Sequence, residues 1–103
     1  MSLDTDVQVE PDTQAVILPR MDRIDLMTRV IGCESDTARA ALTGISTRHW
    51  NRARSGHVGA VFVANTIVAL RKHERELAAR NLKPSFDELF EIVIRPRTDA
   101  EAA

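Results

Sequence analysis

The sequence predicts an all-α fold of five helices, with an extended fourth helix, in a single domain of 103 residues. Three observations predict it. Apolar residues recur at helical spacing through the middle of the chain. Serines suited to helix N-caps stand at Ser35, Ser46 and Ser85. Glycines that suit helix ends stand at Gly32, Gly44 and Gly56. Only two short apolar runs read as strands, 15–18 before Pro19 and 91–97 around Pro96. They are candidates to pair as a small terminal sheet, although short runs are ambiguous between strand and helix.

Taken in order, residues 1–18 are polar and acidic, with a charge of −4, and are expected to be a flexible N-terminal tail. The domain proper is expected at 19–95, and a C-terminal tail at 96–103. Asp22 precedes an apolar stripe of Ile24, Met27, Val30 and Ile31, which predicts a first helix ending at Gly32. Ser35 caps a second, over 36–43, that Gly44 stops after two turns. Ser46 caps a third, over 47–54, closed by Gly56. A fourth is expected over 59–80, which at the usual rise is roughly 33 Å long. Its first half is apolar on nearly every side and should be the central buried element. Its second half, Arg71-Lys72-His73-Glu74-Arg75-Glu76, is charged all round and should project into solvent or onto a partner. Pro84 and the capping box Ser85-Phe86-Asp87-Glu88 open a fifth helix, with Phe86, Leu89, Phe90 and Val93 on one apolar face.

Charge is distributed unevenly. The chain has 15 acidic and 14 basic residues, yet 37–73 holds no acid at all and carries +6. The segments 1–18, 19–36 and 74–103 carry −4, −1 and −2. A cationic middle third on a nearly neutral protein is a surface that an anionic partner senses.

Several function classes are disfavoured. The aromatics are Trp50, Phe62, Phe86 and Phe90 only, too few for the stacking platforms of a single-strand binder. The lone Cys33 excludes an internal disulfide and reads as a small buried hydrophobe. His49, His57 and His73, at spacings of 8 and 16, do not make a metal site. No nucleophile–base pair, Gly-rich phosphate loop or carboxylate dyad stands out, so neither an enzyme nor a cofactor is expected. Asp87, Glu88 and Glu91 read as a solvated charged face. No run approaches the ~20 apolar residues that span a bilayer, and the N-terminus has no positive leader region. The expected location is the cytoplasm, at the nucleoid.

Two short helices separated by Gly44-Ile45-Ser46 make a helix-turn-helix. A small residue must stand four positions before the glycine, where the two helices touch, and this is Ala40. Glycine admits the left-handed backbone of the turn. Ile45 plugs the corner and Ser46 caps the next helix. A large apolar side chain must then anchor that helix to the core, here Trp50, with Ala53 one turn on. The inward phase of Trp50 favours core anchoring over stacking on bases.

The string Ala40-x-x-x-Gly44-Ile45-Ser46, followed by Trp50-x-x-Ala53-x-x-Gly56, resembles the lambda-repressor-like helix-turn-helix family, of the phage Cro and repressor type, over residues 22–93. Segment 85–90 resembles the family's closing helix, and five helices are the family's architecture. Arg39 and Thr43 stand where the family is apolar, and Arg54 where it often has Glu. The resemblance implies a sequence-specific double-stranded DNA-binding transcriptional regulator, a repressor by analogy, acting as a homodimer. The second helix of the motif would lie in the major groove. On that reading Thr47, Arg48, Asn51 and Arg52 face the bases, and Arg39, Ser46, Arg54 and His57 face phosphates. Because no acid is close in sequence to Arg48, Arg52 or Arg54, local ion pairing is not expected to neutralise them. The alternative is a protein-interaction module of the same fold, an antitoxin or anti-repressor subunit.

Overall fold

In the computed structural model, which describes residues 12–96, the two ends of the described chain meet in an antiparallel sheet. Strand β1 (Thr13–Pro19) pairs with β2 (Phe90–Pro96) in an unbroken register that sets Ala15 opposite Ile94, Ile17 opposite Ile92 and Pro19 opposite Phe90. Between the strands run α1 (Met21–Val30), α2 (Asp36–Thr43), α3 (Thr47–Ala53), α4 (Ala60–Arg71), α5 (Glu74–Ala78) and α6 (Phe86–Leu89).

The all-α expectation is therefore corrected. Six helices and a two-stranded sheet stand among the described residues in place of five helices. The closing helix lasts only four residues, because the β-branched run Ile92-Val93-Ile94 leaves helical geometry to pair with β1. β1 takes in the last residues of the expected N-terminal tail, and Pro96 belongs to β2 instead of the C-terminal tail. Residues 1–11 and 97–103 of the two tails lie outside the described residues.

The long fourth helix is also corrected. Helix α4 stops at Arg71, and His73, at φ −116° and ψ 27°, departs from helical backbone before α5 begins. The polar run 71–76 has no apolar stripe to hold a straight helix against the core. Breaking there returns Leu77, which is fully buried, to the cluster formed by α1 and α4. Asn81, at φ 61°, then takes the left-handed cap position, and the Leu82 amide donates to the Leu77 carbonyl at 2.9 Å.

Helix α4 is less central than its composition suggests. Phe62, Thr66, Ala69 and Leu70 are buried, but Val61 and Val68 are exposed, because no described element packs on that side. Cys33 is half-buried, not buried.

The core is built around Ile24 and Met27 of α1, Trp50 of α3, Phe62 and Leu70 of α4, Leu89 of α6 and Phe90 of β2. A line of rings crosses it. Trp50 and Phe62 lie 4.9 Å apart, Phe62 and Phe90 meet edge-on at 6.3 Å, and Phe90 stacks on Phe86 at 5.6 Å. Aromatic packing thus ties α3 to the sheet through Phe62 of α4. A second tie comes from the loop after α3, where the Val58 amide donates to the Ile17 carbonyl at 2.9 Å.

Candidate nucleic-acid interface

The helix-turn-helix is assembled by local chemistry. The Ser35 hydroxyl accepts from the Ala38 amide at 3.1 Å and opens α2. Gly44, at φ 71°, closes it with its own amide on the Ala40 carbonyl, and the Ile45 amide reaches the same oxygen at 3.1 Å. The Ser46 hydroxyl accepts from the His49 amide at 3.1 Å and opens α3. Asn65 of α4 donates to the Thr43 carbonyl at 3.1 Å, so a third helix fixes the end of α2. Ala40, Ile45, Trp50 and Ala53 are all buried, in the places the motif requires.

With Trp50 and Ala53 held inside, the remaining face of α3 points outward. Thr47, Arg48, Asn51 and Arg52 are exposed. No carboxylate pairs with Arg48 or Arg52 among the described residues, and no side-chain hydrogen bond occupies the polar ends of Thr47 or Asn51. All four residues assigned to base reading therefore share one accessible face.

The phosphate set divides. Arg39 is buried, so its assignment as a phosphate contact is corrected. Its Nε donates to Thr28 Oγ1 at 2.7 Å and lies 3.5 Å from Asp25 Oδ1, while Nη1 meets Asp36 Oδ1 at 3.1 Å. Arginine fits this buried position, where the resemblance would place an apolar residue, because two carboxylates and a hydroxyl receive its donors. Thr43, the other departure, is buried too, and its hydroxyl donates back to the Arg39 carbonyl at 2.9 Å.

Arg54 is corrected for a related reason. It caps the C-terminus of α3 and grips both acids. Its Nε donates to Asp36 Oδ2 at 2.8 Å, and its Nη1 and Nη2 donate to Asp25 at 3.0 and 2.8 Å. Hydrogen bonds from Arg54, joined by that of Arg39, hold the Asp36 carboxyl down at about 2, and the hydrogen bonds of Arg54 to Asp36 and Asp25 raise Arg54 further above its ordinary value. Two of the six arginines and lysines in 37–73 are thus neutralised by acids from α1 and α2. The expectation that Arg54 escapes pairing fails because those acids are distant in sequence and close in space.

Ser46 is exposed at the N-terminus of α3, and His57 is exposed just beyond the helix. His57 Nδ1 lies 3.3 Å from Arg95 Nη2. Arg95 is the residue that sequence reading missed. It projects from β2 into a shallow cleft shared with His49, Arg52, Ser55 and His57. The available signal was an arginine directly after the apolar run Ile92-Val93-Ile94.

Among the described residues no group of three or more His, Cys, Asp and Glu side chains is arranged to hold a metal ion. No helix among them is long and apolar enough to cross a membrane. No family model, curated protein or solved structure matches the chain.

Proposed function

We propose that the protein is a sequence-specific double-stranded DNA-binding regulator of repressor type, acts as a homodimer, and lays α3 in the major groove. One observation carries the reading: Thr47, Arg48, Asn51 and Arg52 stand together on the accessible face of a helix locked by Trp50. Arginine offers a two-point donor set to guanine O6 and N7, asparagine matches adenine, and the threonine methyl meets thymine. The capped amino end of α3, with Ser46, suits a phosphate at its margin. Arg95, beside His57, extends the cationic surface from the end of α3 towards the sheet. Arg39 and Arg54 leave the contact list and instead hold α2 and α3 in their mutual orientation.

Selection from random duplexes tests this. A recovered consensus with two-fold symmetry and half-sites about one helical turn apart is expected. Affinity for that site should fall with salt at about 0.9 logarithmic units per phosphate neutralised. Recovery of no consensus, with binding equally weak to every duplex, would turn the reading to the protein-interaction alternative, for which the exposed Val61 and Val68 offer an apolar patch.

A further inference from the structure

Among the described residues nothing covers the outer edge of β2. The Arg20 amide donates to the Leu89 carbonyl at 2.7 Å, which makes that pair a hydrogen-bonded rung. Rungs alternate, so Leu18–Glu91 and Val16–Val93 exchange bonds, while Ile17–Ile92 and Ala15–Ile94 do not. The Ile17 carbonyl confirms the phase, since it accepts from Val58 on the far side of β1. Both prolines fit it as well, Pro19 and Pro96 falling at positions where β1 and β2 exchange no bond. The amide and carbonyl groups of Ile92 and Ile94 consequently point away from β1. Among the described residues none of these groups meets a partner across that edge.

The side chains of the same two residues are exposed large hydrophobics, Ile92 at 63% and Ile94 at 61%. Edge strands are ordinarily blunted by a bulge, an inward charge or a proline in mid-strand. β2 has an unbroken register and its proline only at the end.

We propose that this edge pairs with the β2 edge of a second copy, giving a four-stranded antiparallel sheet across a two-fold axis. The sequence of the strand is complementary to itself in one register. With Val93 on Val93 at the axis, Ile92 exchanges both backbone bonds with Ile94 of the second copy, and the reverse holds. The same register sets Glu91 opposite Arg95 of the second copy, so opposite charges face each other at both ends of the contact. Glu91 lies 3.8 Å from Arg20 and Arg95 lies beside His57 within each copy. The Glu91 carboxylate has a second oxygen for this contact. Ile92 and Ile94 of both copies then form one apolar stripe that pairing removes from water. The proposal deepens the homodimer part of the functional reading but does not depend on what α3 binds.

Sedimentation velocity without DNA tests it. The full chain should sediment as a species of twice its 11.5 kDa mass. The double variant Ile92→Lys/Ile94→Lys should sediment at the mass of one chain with an unchanged helical circular dichroism spectrum. Val68→Lys, on the exposed side of α4, should leave the dimer intact. Hydrogen exchange at the Ile92 and Ile94 amides supplies a reading that does not require a variant: slow exchange at high protein concentration, and fast exchange on dilution below the dimer range. A wild-type chain that stays monomeric at millimolar concentration overturns the pairing, as does a dimer whose Ile92 and Ile94 amides exchange freely. Neither result bears on DNA binding by α3, which the duplex selection judges separately.

Discussion

Arg54 and Asp36 are joined across 18 residues of chain by a two-point guanidinium–carboxylate fork, Nε to Oδ2 at 2.8 Å and Nη2 to Oδ1. The pair ties the C-terminal cap of α3 to the first turn of α2. Asp25 of α1 takes the other side of the same guanidinium. Three helices thereby share one arginine, and the angle between the two helices of the motif is set in part by this cluster.

Asp36→Asn should destabilise the fold by about 1–3 kcal/mol, because Arg54 and Arg39 lose their shared charged acceptor. For a domain of this size that lowers the melting temperature by roughly 5–15 °C. Thermal denaturation followed by circular dichroism measures it. An unchanged midpoint would show that the cluster contributes nothing to the fold.

The same carboxyl predicts an acid limb. Its folded value of about 2 lies below the ordinary 3.8. A depressed acid contributes stability that is present above the ordinary value and is lost as pH falls towards the folded one. The loss should therefore fall between roughly pH 4 and pH 2. Solvent at the edge of the pair trims the contribution to about 1 kcal/mol. Denaturant titrations across this window should show a shallower slope in Asp36→Asn than in the wild type.

Arg39→Ala separates structure from recognition. Uniform weakening on all DNA was the expectation for an exposed phosphate contact. Because Arg39 is buried between Asp25, Asp36 and Thr28, the substitution instead removes one of the two guanidiniums that serve these acids and opens a cavity where its side chain packs. A stability loss of about 2–4 kcal/mol is expected. At a temperature where the variant remains folded, its salt slope on DNA should match the wild type.

Gly44→Ala tests the turn. A Cβ there would meet only Asn65 Nδ2, at 3.9 Å, so space is not the obstacle. The φ of 71° is, and it should cost about 1–2 kcal/mol of stability. Gly59→Ala, where nothing lies within 4 Å and φ is not in the left-handed range, should cost less. Equal losses would remove the backbone explanation.

What was legible in the sequence was the part whose determinants lie close together along the chain. The caps at Ser35 and Ser46, the Gly44 turn, and the burial of Ala40, Ile45, Trp50 and Ala53 span a single short segment. The acid cluster was not legible, because Asp25 reaches Arg54 across 29 residues and a local charge count does not see it. The strand pairing was legible only as a candidate, because short apolar runs are ambiguous and their register depends on contacts between the two ends of the described chain. The break of the fourth helix at His73 depends on Leu77 finding the core, a tertiary demand that helical propensity does not contain. Arg95 reaches the candidate site through that same pairing, which fixes where β2 lies relative to α3.

The most direct test of α3 as a reader of base edges is the ratio of affinities for a selected duplex and a scrambled one, measured by fluorescence anisotropy at one salt concentration. Arg48→Ala and Arg52→Ala should each lower affinity for the selected duplex by about 1–3 kcal/mol and reduce the ratio, with melting temperatures unchanged. Equal losses on both duplexes, with the ratio preserved, would contradict base reading by these arginines.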